Sequence, residues 1–156
     1  MEPYQQALSE MQRLFGKDRQ FVLATAKDNA PSSRYIDAYY EDGSFYAVTY
    51  GESRKAREIT ENPAVALCNR TSRFLGAAHS IGHPLDAGNG AIRERLRGVF
   101  ADWYDRHNDE SDPNMRYVRI DVTSGFFHAD GTGYEVDFSA KTAKVFPFAP
   151  DVCFLD

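Results

Sequence analysis

Cysteine is scarce in this chain of 156 residues, where Cys68 and Cys153 are the two thiols. Two cysteines so far apart make no disulfide framework, and neither has the Cys/His neighbours that zinc-site spacing requires. Basic charge is also short. Lys and Arg number 18 against 23 acids, a formal net charge of −5, whereas a general nucleic-acid binder carries a basic surplus. No run approaches the ~20 apolar residues of a membrane-spanning helix. The stretch Met1 to Gln20 is mixed and polar, without the apolar core of a signal peptide. A cytoplasmic protein with no nucleic-acid and no membrane partner is expected. Hydrolase signatures such as Gly-x-Ser-x-Gly are missing too.

Aromatic residues, by contrast, are plentiful. Eleven Phe and nine Tyr favour strands and flat ligand pockets. With 42% hydrophobic and 26% charged residues, one packed domain spanning 1–156 is expected.

Periodicity divides the chain. Tyr4, Ala7, Leu8, Met11, Leu14 and Phe15 keep helical spacing between Pro3 and Gly16. Phe21–Ala26 reads as a strand and Asp28–Pro31 as a turn. Arg34–Tyr40 and Ser44–Tyr50 read as a hairpin about Asp42-Gly43. A short helix follows from Ser53, its expected cap, and stops before Pro63. Ala64–Asn69 and Arg73–Ile81 return to strand. A linker over Gly82–Gly90 leads to a helix whose stripe is Ile92, Leu96, Val99, Phe100, Trp103 and Tyr104. The remainder reads as strands at Tyr117–Val122, Gly125–Ala129, Tyr134–Phe138 and Ala143–Phe148. Hairpins that curl closed remove exposed edges, so the pattern predicts a mainly β fold, a small antiparallel barrel with helices outside.

The chemistry concentrates between Arg34 and Leu67. Arg34 opens a strand, Thr49 and Tyr50 end the next, and Gly51-Glu52-Ser53-Arg54-Lys55 runs into a helix N-terminus. Free N–H groups and the helix dipole there favour an anion, which Arg54 and Lys55 would reinforce. The plainer alternative makes Arg54, Lys55 and Arg57 a solvated helix face.

His79 and His83 are four apart, but Gly82 and Pro84 argue against a helix that would aim both at a metal. No metal site is expected. Asp102, Asp105, Asp109, Glu110 and Asp112 read as solvated surface. Cys68 in its apolar strand reads as a small buried hydrophobe, and Trp103, Tyr134 and Phe138 read as core.

The order of parts resembles the pyridoxamine 5′-phosphate oxidase-like, FMN-binding split-barrel family. The matching residues are Arg34, Phe45-Tyr46 with Thr49, Ser53-Arg54-Lys55-Ala56, and Asn62-Pro63 before AVAL. The resemblance implies a six-stranded antiparallel split β-barrel with flanking helices. It implies a homodimer with FMN at the subunit interface, and a flavin-dependent oxidoreductase acting on a small molecule. Arg34 and Lys55, with Ser53 and Arg54, would hold the FMN phosphate. Tyr35, Ile36, Asp37, Thr49 and Tyr50 would lie along the ring and ribityl chain. The alternatives are a flavin- or haem-binding module without turnover, and a deazaflavin in place of FMN. The chain departs from the enzyme that names the family. It has no Arg after Arg119 and no His after His128, which argues against oxidation of pyridoxamine phosphate itself. Glu52 also sets a negative charge beside the phosphate position.

Overall fold

A computed structural model describes residues 1–153. Helix α1 (Pro3–Phe15) precedes strands β1 (Arg19–Lys27), β2 (Ala30–Glu41) and β3 (Ser44–Tyr50). Helix α2 (Arg54–Glu61) leads to β4 (Ala64–Asn69) and β5 (Ser72–Gly82). A 3-10 turn at Ala87–Asn89 then introduces α3 (Gly90–Val99) and α4 (Tyr104–His107). Strands β6 (Met115–Ala129), β7 (Thr132–Asp137) and β8 (Thr142–Pro147) complete the order.

The strands run β3-β2-β1-β4-β5-β6-β7-β8, all neighbours antiparallel, and β3 also pairs with β6. That last pairing, Ser44–Tyr50 against Met115–Asp121, closes a six-stranded barrel and leaves β7 and β8 as an extension. The split-barrel architecture read from the sequence is thus the observed one. Three hairpin turns, at Asp28-Asn29, Asp42-Gly43 and Asp130-Gly131, place both central residues at positive φ. That geometry matches the twist of the strands it joins.

The barrel interior is aromatic. Phe15 at the end of α1 meets the rings of Phe21, Phe45, Phe74 and Phe127 at 5.6–6.0 Å. Ala7, Met11 and Phe15 are the buried face of α1, so this helix closes one end of the barrel. Helix α2 sits against β1 and β5 at the other end, with Ile59 in the same core. A second apolar cluster lies outside the barrel. There Leu96, Phe100 and Tyr104 cover Tyr39, Met115 and Tyr117.

Several local readings change. Ala30 and Pro31 belong to β2 rather than to the preceding turn, because Asp28-Asn29 alone make the reversal. Tyr117–Val122 and Gly125–Ala129 form one continuous strand, whose first half pairs with β3 and second half with β7. The helix expected to run through Tyr104 breaks after Val99. The break keeps Phe100 and Tyr104 buried while turning the Trp103 indole to Asp18, at 2.8 Å. Cys68 is exposed, since β4 buries Val65 and Leu67 and turns the alternate residues outward. Glu110 is not solvated surface, because it accepts from Arg93 at 2.7 Å and Arg97 at 2.5 Å. No helix among the described residues is long and apolar enough to cross a membrane.

Candidate functional site

The candidate site forms where α2 meets the ends of β1, β2 and β3. Phe21, Leu23 and Thr25 alternate inward along β1, so Thr25 is the polar terminus of an otherwise apolar row. On β2 the same face carries Ser32, Arg34, Ile36, Ala38 and Tyr40. Helix α2 starts at Ser53, whose hydroxyl accepts from the Ala56 N–H and lies 3.4 Å from the Thr49 hydroxyl. Its first turn points the Arg54 and Lys55 N–H groups out of the helix end.

Five polar side chains, two of them from this helix, interlock where it meets β1 and β2. Arg34 donates through Nη1 to the Leu23 carbonyl (3.2 Å) and Thr25 Oγ1 (2.8 Å), and through Nη2 to Ser32 Oγ (2.7 Å). Glu58, 4% exposed, accepts at Oε2 from Thr25 and from Ser32, the latter at 3.0 Å. Its Oε1 accepts from Arg54 Nε at 2.7 Å. The Thr25 hydroxyl, Arg54 and the Ser32 hydroxyl hold its carboxyl well below the usual range, at about 2. Arg34 Nη2 lies 3.9 Å from Glu58 Oε2, and burial lowers the Arg34 pKa.

Lys55 completes the group from a different position. Burial, and then the charge of Arg34, lower its pKa. It makes no ion pair among the described residues, whereas Arg54 pairs with Glu58 and Arg57 with Glu52. A half-buried ammonium beside a guanidinium and a helix N-terminus is a place for an anion.

The other sequence-selected residues divide by strand face. Ile36 packs against the barrel core. Tyr35 is 72% exposed on the opposite face, and Tyr50 is 49% exposed at the end of β3. Asp37, also on the opposite face, meets Asp18. Burial, the Asp18 charge and a hydrogen bond to Asp18 raise the Asp37 pKa. Asp18 Oδ1 is buried and has no hydrogen-bond partner among the described residues, while Oδ2 accepts from the Trp103 indole. Side chains of Arg34, Thr49, Ser53, Arg54 and Lys55 therefore gather about the start of α2, and those of Tyr35 and Asp37 do not.

Sequence reading missed Thr25, Ser32 and Glu58. The signal for Glu58 was present, because Arg54 and Glu58 stand four apart on a helix. Thr25 was the polar residue of an inward row. Ser32 was hidden by the misplaced turn.

Other features serve the scaffold. His83 Nδ1 accepts from the Leu85 N–H at 3.0 Å. Its Nε2 therefore carries the proton and donates to the Asp112 carbonyl, also 3.0 Å away. No cluster of three or more His, Cys, Asp or Glu suited to a metal occurs among the described residues. A groove of about 960 Å³ lies over β4–β8 beside Cys68, Arg73 and Phe126. It contains none of the α2 cations, so size and chemistry point to different places, and the charge arrangement decides for α2. A hollow of about 490 Å³ adjoins Arg54 and is rimmed by Asp28, Glu52 and Glu61.

A profile of the pyridoxamine 5′-phosphate oxidase family matches residues 7–129. The chain belongs to the pyridoxamine 5′-phosphate oxidase family. Solved structures of similar fold include a pyridoxamine 5′-phosphate oxidase-related, FMN-binding protein of Nostoc punctiforme. It is 14% identical, covers 96% of this chain and 98% of its own, and has a TM-score of 0.58. A FAD-binding protein of Mesorhizobium loti is 20% identical, over 75% of this chain and 90% of its own, with a TM-score of 0.58. General Stress Protein 26 of Bacillus anthracis is 20% identical, over 76% and 91%, with a TM-score of 0.56. No curated protein matches the sequence. At these identities the likeness speaks to the fold alone.

Proposed function

We propose that the protein is an FMN-binding flavoprotein, a flavin-dependent oxidoreductase that handles a small molecule and works as a homodimer. The observation that carries this reading is Lys55, a half-buried cation without a carboxylate partner, next to Arg34 at the start of α2. Such a charge costs folding energy unless an anion joins it. A phosphate monoester would supply that anion to the Lys55 ammonium, the α2 N–H groups and the free terminal nitrogens of Arg54.

The residues present fit the terminal phosphate of FMN better than the diphosphate of FAD. Beyond Arg54 the rim turns acidic, and its cations are already engaged, Lys27 with Glu61 and Arg57 with Glu52. A second phosphate there would face carboxylates. When bound, the flavin would supply the hydride or electron transfer. The chain would anchor the phosphate through Arg54 and Lys55, with Glu58 holding Arg54 and, through Thr25 and Ser32, Arg34. The exposed tyrosines, Tyr35 and Tyr50, would lend apolar surface to a twofold-related copy.

Purified protein titrated with FMN, riboflavin and FAD tests the reading. Expected are a flavin spectrum and a preference for FMN over both others. Equal affinity for riboflavin and FMN refutes the phosphate site. Steady oxidation of NAD(P)H by the FMN-loaded protein distinguishes an enzyme from a binding module.

A further inference from the structure

We propose that Glu58 is the positioning residue of the anion site, holding Arg34 and Arg54 in place for a phosphate. The proposal rests on the phosphate-site reading above. Simple electrostatics predicts the opposite. A carboxylate beside an anion site repels the ligand, so neutralising it should tighten binding.

The hydrogen-bond directions argue otherwise. An ionised carboxylate only accepts, so the hydroxyls of Thr25 and Ser32 must both direct their hydrogens at Glu58 Oε2. Their 3.3 Å approach to each other is then not a hydrogen bond. With its hydrogen committed, each hydroxyl oxygen turns lone pairs to Arg34, Thr25 to Nη1 and Ser32 to Nη2. Glu58 thus sets the polarity of two hydroxyls and, through them, the plane of a guanidinium it does not itself hydrogen-bond. Through Oε1 it takes the Nε–H of Arg54 and leaves both terminal nitrogens of that largely exposed side chain without a hydrogen bond among the described residues.

A glutamine at this position keeps the shape and reverses the logic. Its amide NH₂ would donate where Oε2 accepts, so each hydroxyl would have to accept there as well as from Arg34, and its hydrogen would lose the acceptor that fixes its direction. If the amide is turned round, Arg54 loses its acceptor instead. One orientation loosens the hydroxyls that hold Arg34 and the other frees Arg54.

The test compares Glu58→Gln, Thr25→Val and Ser32→Ala with the parent. FMN and riboflavin dissociation constants are measured by fluorescence, with thermal melts alongside. Glu58→Gln should weaken FMN about tenfold and leave riboflavin unchanged. Thr25→Val and Ser32→Ala keep every charge, so electrostatics predicts no effect on FMN, whereas positioning predicts several-fold loss. These two variants also decide the matter should Glu58→Gln fail to fold. FMN binding that is equal or tighter in the variants overturns the proposal. A parent that does not distinguish FMN from riboflavin overturns the phosphate reading instead. The positioning claim is then read from ¹⁵N spectra of the ligand-free protein. A slowly exchanging Arg54 Nε–H in the parent that becomes fast in Glu58→Gln upholds it, and unchanged exchange overturns it.

Discussion

Lys55 offers a test in which stability and binding move in opposite directions. Lys55→Met keeps the aliphatic stem and removes the charge. In the ligand-free protein that charge is half-buried, near Arg34 and without a carboxylate, so its removal should leave the melting temperature unchanged or raise it. In the FMN complex the same ammonium would make a charge-assisted contact with phosphate, worth roughly 1.5–3 kcal/mol. At ~1.4 kcal/mol per factor of ten, FMN should bind about tenfold to a hundredfold more weakly, and riboflavin equally well. Arg57 is the control. It lies further along α2, pairs with Glu52 at 3.6 Å, and both side chains are more than half exposed. Such pairs contribute about 0–1 kcal/mol, so Arg57→Ala should change FMN affinity by less than about threefold. Calorimetry gives the affinities and a thermal melt the stability. If Lys55→Met and Arg57→Ala behave alike, or if Lys55→Met unfolds more easily while binding FMN normally, Lys55 is a structural residue and the argument fails.

Three further outcomes are expected. Asp37 has its folded pKa raised, so its contribution is full below the unfolded value near 3.9 and is lost as pH rises through the folded value. Asp37→Asn should therefore gain stability over the parent as pH rises above about 4, read from thermal melts across that range. Glu58 has the reverse sign. Its stabilisation is present above the unfolded pKa near 4.3 and is lost as pH falls toward about 2, so Glu58→Gln should flatten the acid limb of a stability curve. At the β5 bulge, a Cβ on Gly76 would lie 2.6 Å from the Asp121 carbonyl oxygen. Gly76→Ala should cost roughly 1–3 kcal/mol, visible as a fall in melting temperature of several degrees.

The sequence made the barrel legible because its hairpins carry strong local signals. Asp42-Gly43 and the alternating Phe45, Ala47 and Thr49 specify a turn and a buried face within a few residues of each other. The cation group at Ser53-Arg54-Lys55 was legible for the same reason, since cap, charge and helix start are adjacent. What stayed hidden depends on long-range partners. Nothing near Cys68 says which face of β4 looks outward. Neither did the stretch around Trp103 reveal Asp18, its partner far back in the chain. Nothing in the helix around Glu58 discloses Thr25 and Ser32, which β1 and β2 bring beneath it. The resemblance sets Asp37 along the flavin together with Arg34, and strand alternation puts the two side chains on opposite faces of β2.

Closure of the barrel by β3 and β6 has a consequence for how the chain folds as it is made. Until Met115–Asp121 arrives, the strand Ser44–Tyr50 has no partner on one side, and β5 is likewise unpaired along its outer edge. Both are rows of free N–H and C=O groups backed by aromatic side chains, the combination that invites strand addition by a neighbouring chain. Nascent chains that stall in α3 or α4 would present two such edges at once. Pairing across so many intervening residues also carries a high loop-closure cost and slows folding. The same strand that completes the container for the core therefore defines the interval in which the polypeptide is most in need of a chaperone.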